Sequence, residues 1–103
     1  MAYRILIDRL ASEAIFKLPA YARARISDAI EEQLMHDPAP DSPERHKKRL
    51  RPLAVPWSAQ AQAPWQLTVV PYRILYDVDT SNQAVAVRMV VLKPPGKKTE
   101  EIL

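Results

Sequence analysis

The sequence has no cysteine, one glycine and one phenylalanine among its 103 residues. Without cysteine, neither a disulfide framework nor a thiolate metal centre can form. The two histidines, His36 and His46, cannot build a zinc site alone, so no metal or cofactor is expected. No run approaches the ~18 apolar residues of a membrane span, and the start has no apolar leader core, so a cytoplasmic, soluble protein without membrane contact is expected. What is present is ordinary for a globular chain: 48% hydrophobic and 26% charged residues. A chain of this length is one domain, here 1–103, burying ~65% of its unfolded surface.

The net charge of +3 is mild, but its distribution is uneven. Arg45, Lys47, Lys48, Arg49 and Arg51 fall within one short stretch around His46, whereas acids gather at Asp28, Glu31 and Glu32. Such a basic cluster suits a polyanion such as nucleic acid, or an acidic protein segment. A solvated loop, or cations opposing a helix dipole, is the plain alternative.

Along the chain, Tyr3 to Ile7 reads as a first strand. Asp8 is placed to cap a short helix carrying Leu10, Ala14 and Ile15. Pro19 ends that helix and opens a second to about Met35, with Ala22, Ile26, Ala29, Ile30 and Leu34 on one face. Prolines then break the chain from Asp37 to Pro43, and Pro52 to Pro64 reads as an irregular excursion. From Trp65 the period changes to two. Trp65, Leu67 and Val69 alternate with Gln66, Thr68 and Val70; Tyr72, Ile74, Tyr76 and Val78 alternate with Arg73, Leu75 and Asp77. Pro71 marks one turn and Asp79 to Asn82 another, followed by a strand over Ala84 to Leu92. Pro94 and Pro95 close it, and 97–103 is a charged tail. The expected fold is α+β, in the order β-α-α-β-β-β, with a helical hairpin on one face of a mostly antiparallel sheet.

Three pieces in this order carry a resemblance: Pro64-Trp65-Gln66-Leu67, Tyr72-Arg73-Ile74-Leu75-Tyr76-Asp77-Val78, and the strand from Val85 to Lys93. Arg49-Leu50-Arg51-Pro52 adds a basic turn segment before them. Together they resemble the RelE/ParE superfamily over nearly the whole chain. The resemblance implies the toxin of a type II toxin–antitoxin pair, held inactive by a cognate antitoxin. In the RelE branch it implies a ribosome-dependent mRNA endonuclease; in the ParE branch, a non-enzymatic inhibitor of DNA gyrase. A third reading is a degenerate homologue that binds antitoxin without toxicity. Gln66 and Thr68 stand where the RelE branch carries strand lysines. Lys93-Pro94-Pro95 stands where it carries an arginine, and the tail has no tyrosine. Of that constellation, Arg73 alone aligns cleanly.

Metal-free RNA cleavage by an internal 2′-hydroxyl needs a base, an acid and cations that steady the phosphate. Arg73 alternates with the apolar positions of its strand and is expected on the sheet face away from the helices, exposed, where its planar donors suit a phosphate. Arg73 and Lys93 are therefore the candidate catalytic residues, and the 45–51 cluster the candidate nucleic-acid contact. A surface arginine and a solubilising tail are the plain alternatives. Trp65, Tyr72 and Tyr76 share the apolar alternation and are expected in the core, while Trp57 is freer to meet a partner.

Overall fold

The structure is a computed structural model, and it describes residues 2–35, 38, 47–49, 53–55, 58–62 and 65–92. Strand β1 (Arg4–Ile7) leads into helices α1 (Arg9–Phe16) and α2 (Ala20–Leu34). Then follow β2 (Lys47–Arg49), β3 (Leu53–Val55), β4 (Ser58–Gln62), β5 (Trp65–Val69), β6 (Tyr72–Asp79) and β7 (Ala84–Leu92). The main sheet has the order β1-β7-β6-β5-β2. Only β1–β7 is parallel among its pairings. β3 and β4 form a separate antiparallel pair.

Both helices lie on one face, as the period of α2 requires. Ala22, Ile26, Ile30 and Leu34 recur every four residues and are all buried. Ile26, Ile30 and Leu34 join Ala11 against Leu67, Ile74, Tyr76, Val85, Val87 and Val90 of the sheet. Tyr76 is closed off completely; its hydroxyl donates to the Pro38 carbonyl at 2.6 Å, and its ring stacks on Trp65 at 6.4 Å. Burying a tyrosine without a partner for its hydroxyl would be costly, so this bond fixes where the chain leaving α2 crosses the core.

Four sequence expectations are corrected. The basic stretch is no loop at Lys47 to Arg49 but an edge strand, which pairs with β5 at Lys47–Leu67, Lys48–Gln66 and Arg49–Trp65. The excursion from Pro52 to Pro64 contains β3 and β4. In α1 the buried residue is Ala11, while Leu10 is 45% exposed. Asp8 holds the N-cap position but makes no side-chain cap bond. Its carboxylate is taken by Arg88 instead.

Strand β7 carries a bulge. Leu75 pairs with Met89 and Tyr76 with Val87, leaving Arg88 as the extra residue. The extra residue shifts the alternation by one, so Val87 and Val90 both face the helices although they are three apart.

Candidate nucleic-acid interface

Residues paired across neighbouring strands share a sheet face. The face away from the helices therefore carries Thr68, Arg73 and Val91 in one row, and Gln66, Leu75 and Met89 in the next. Beyond them come Asp77 and Ala86, extended by Leu6 of β1.

Arg73 lies on this face, as its alternation requires, but it is half-buried rather than freely exposed. One guanidinium nitrogen, Nη1, donates to the carbonyl of Tyr72 at 3.1 Å. Nε is shielded from solvent and has no hydrogen-bond partner among the described residues. A shielded N–H without an acceptor costs roughly 1–3 kcal/mol unless something supplies one. Arg73 therefore keeps spare, directed donor capacity on the far face. The floor around it is neutral: Gln66 and Leu75 are closed to solvent and Thr68 is half-buried.

The basic cluster does not act as one group. Lys47 is opposite Leu67, on the helix side, and is only 5% exposed. Its Nζ donates to the Gln33 carbonyl at 3.3 Å. Gln33 sits in the last turn of α2, where carbonyls lack partners within the helix and a cation opposes the dipole. Lys47 thus leaves the candidate contact surface for a helix end. Along the backbone Lys48 falls in register with Gln66, and Arg49 with Trp65. Arg45, Arg51, Lys93, His36, His46, Trp57 and the 97–103 tail lie outside the described residues.

An ion cluster missed in the sequence lies further along the same face. Arg88 Nε donates to Asp77 Oδ2 at 2.8 Å, and its Nη1 donates to Asp8 Oδ2. Burial alone would lower the Arg88 pKa, but the hydrogen bonds and charges of Asp8 and Asp77 outweigh it and hold it above its ordinary value. Arg88 is committed to two carboxylates and has little left for a phosphate. The one sequence signal was a lone arginine inside the apolar run Ala84 to Leu92. Among the described residues no three His, Asp or Glu side chains converge as metal ligands would, and no helix is long and apolar enough to cross a membrane.

At the opposite edge, β1 pairs only with β7 among the described strands. The N–H groups of Arg4 and Asp8 reach β7-side carbonyls at 2.8 and 2.9 Å. The alternation of a strand then turns those of Ile5 and Ile7 outward. A groove of about 690 Å³ runs between this edge and α2, lined by Tyr3, Ile5, Ile7, Ser27, Ile30 and Met35 among others.

No family model matches the chain, and no curated protein sequence matches it. Solved structures do. The archaeal RelE–RelB complex from Pyrococcus horikoshii OT3 contains a chain similar to this one, with a TM-score of 0.67 at 20% identity, covering 95% of this chain and 100% of that one. The toxin–antitoxin complex RelBE2 from Mycobacterium tuberculosis gives 0.66 at 20% identity, covering 90% of this chain and 100% of that one. A mutant E. coli toxin RelE in the free state gives 0.57 at 20% identity, covering 99% and 94%. The helical hairpin on a mixed sheet, matched end to end in three such structures, is the RelE-like fold.

Proposed function

We propose that this chain is the toxin of a type II toxin–antitoxin pair and that it stops translation by cutting mRNA at the ribosome. The observation that carries this reading is Arg73: a RelE-like sheet presents, on the face away from α1 and α2, a guanidinium whose shielded Nε has no partner among the described residues. A phosphodiester oxygen is the acceptor such a group suits, because two-point contacts fit its planar donors. The cognate antitoxin is the second partner. The outer edge of β1, which no other described strand pairs, and its apolar groove suit an added strand, with main-chain bonds to Ile5 and Ile7 and side chains lodged against α2.

One observation favours a non-enzymatic reading, inhibition of DNA gyrase. Gln66 and Thr68 are neutral, Lys47 is turned to the helices, and a guanidinium offers donors only, so no general base stands in the described part of the Arg73 row. Inducing the chain in a bacterial host, with and without the neighbouring antitoxin gene, separates the two. The translation reading expects new mRNA 5′ ends located within codons, abolished by Arg73→Ala while the protein still folds. Intact mRNA together with DNA breaks and filamentation would refute it and support gyrase. Growth unaffected in the absence of any antitoxin would refute both.

A further inference from the structure

We infer that two copies of this chain pair reversibly through the outer edge of β1, antiparallel, with Leu6 of each copy on the two-fold axis. The inference is independent of the proposed toxin activity. It begins with the stretch Arg4-Ile5-Leu6-Ile7-Asp8, which has the same apolar pattern read from either end and opposite charges at its two ends. Such a segment complements a reversed copy of itself, which is what a two-fold interface requires.

The backbone is set for this pairing. Asp8 continues the extended geometry of β1, at φ −66° and ψ 160°, and its N–H still reaches the Val87 carbonyl at 2.9 Å. On the outer side the Tyr3 N–H is taken by the Met35 carbonyl at 2.6 Å. Alternation leaves Ile5 and Ile7 there, where no other described strand pairs. With Ile5 opposite Ile7 of the second copy, and Ile7 opposite Ile5, each pair exchanges both main-chain bonds. Leu6 then meets its own counterpart, and Arg4 meets Asp8 of the second copy, all on the sheet face away from α1 and α2.

The side chains fit the same register. Leu6 and Ile7 are 51% and 47% exposed, so apolar surface is available on both sides of the strand. Arg4 is exposed and makes no hydrogen bond or ion pair among the described residues. Arg88 takes Oδ2 of Asp8, which leaves Oδ1 for the incoming guanidinium. Sliding the register by two residues in either direction would set Arg4 or Asp8 against Leu6, so charge selects this one. The opposite edge of the sheet has no such self-complementarity: β2 reads Lys-Lys-Arg, a sequence that repels its own copy. A contact this short falls below the ~1,200 Å² of a stable interface, so the dimer dissociates readily and yields the edge to a tighter-binding strand.

Sedimentation equilibrium of the purified full chain, from about 1 to about 500 µM, tests this. A reversible monomer–dimer equilibrium is expected. Arg4→Asp and Asp8→Arg should each weaken it about tenfold or more, because like charges then stand opposite, and mixing the two variants should restore it. Asp8→Arg also gives up the contact with Arg88, so Leu6→Cys supplies an independent readout. The chain has no other cysteine, and opposed residues at this position lie about 4.5 Å apart between Cα atoms, a span that a disulfide bridges. Air oxidation should link Leu6→Cys into a covalent dimer far faster than Phe16→Cys, which exposes its thiol at the end of α1. A wild type that stays monomeric throughout would overturn the inference and leave the edge to an antitoxin. A dimer unchanged by Arg4→Asp, or equal cross-linking of the two cysteine variants, would overturn it as well. None of these outcomes bears on mRNA cleavage, so the proposed function stands or falls separately.

Discussion

Arg88 and Asp8 are eighty positions apart, yet their side chains form an ion pair that ties the start of α1 to the β7 bulge. Asp77 completes the cluster from β6, so one guanidinium joins three elements. All three side chains are about one-third exposed. Screening by solvent therefore reduces their charge interactions, and the hydrogen bonds carry most of the stabilisation. Arg88→Ala is expected to cost about 2 kcal/mol, since it strands two half-buried carboxylates. Asp77→Asn should cost less, because an amide oxygen still accepts from Nε. Urea unfolding of both variants measures this; an Arg88→Ala protein as stable as the wild type would contradict it.

How α1 meets the sheet yields a second prediction. Ala11 is fully buried while Leu10 beside it is 45% exposed. A helix that approaches β7 closely needs a small residue at the contact, and Ala11 provides it. Ala11→Leu should therefore be the harmful change, costing about 2 kcal/mol through overpacking. Leu10→Ala should cost well under ~1 kcal/mol, as surface substitutions generally do. Thermal unfolding of the two variants would reverse in order if α1 were turned toward Leu10.

That example shows where the sequence was readable. Helix α2 and strands β5 and β6 announce themselves by apolar periods of four and of two, bounded by Pro19, Pro71 and Asp79. The apolar period of α1 is too short to orient it, and a larger apolar residue at position 10 outweighed a smaller one at 11. Strand β2 was hidden because Lys-Lys-Arg has no apolar alternation; its extended state comes from pairing with β5. The bulge at Arg88 was hidden because an unbroken apolar run continues on either side of it. As a result, the face of Arg73 was legible from local alternation alone, whereas the burial of Lys47 on the helix side required the register of a strand that only tertiary pairing creates.

The turn between β6 and β7 makes stability depend on acid. Asp79 accepts from the Asn82 side chain at 2.7 Å and from its backbone N–H at 3.2 Å. The bond from the Asn82 side chain, then that from its backbone, lowers the Asp79 pKa below its ordinary 3.8. A carboxyl whose folded pKa lies below its unfolded one stabilises the fold above the unfolded value. That stabilisation is full above about pH 3.8 and fades as pH falls through the lower folded value. Asp79→Ala should be less stable than the wild type at neutral pH, and the two should converge in strong acid. Denaturation curves collected from neutral to acidic pH test this; a gap that widened on acidification would give the opposite sign.

The outer edge of β1 offers a way to distinguish strand addition from simple apolar contact. The Ile7 N–H points away from β7, so a proline at this position removes a donor from the outer edge and leaves the β1–β7 ladder intact. Leu6, which precedes it, is already extended, as a residue before proline prefers to be. Ile7→Ala removes most of the side chain and keeps the donor. If an antitoxin strand docks here, Ile7→Pro should weaken its capture about tenfold, the loss of roughly one main-chain hydrogen bond, and by more than Ile7→Ala does. If the antitoxin instead uses only the apolar groove beside α2, the alanine variant should be the weaker binder. Calorimetric titration of the purified pair separates the two, and equal wild-type affinity in both variants would move the antitoxin off this edge altogether.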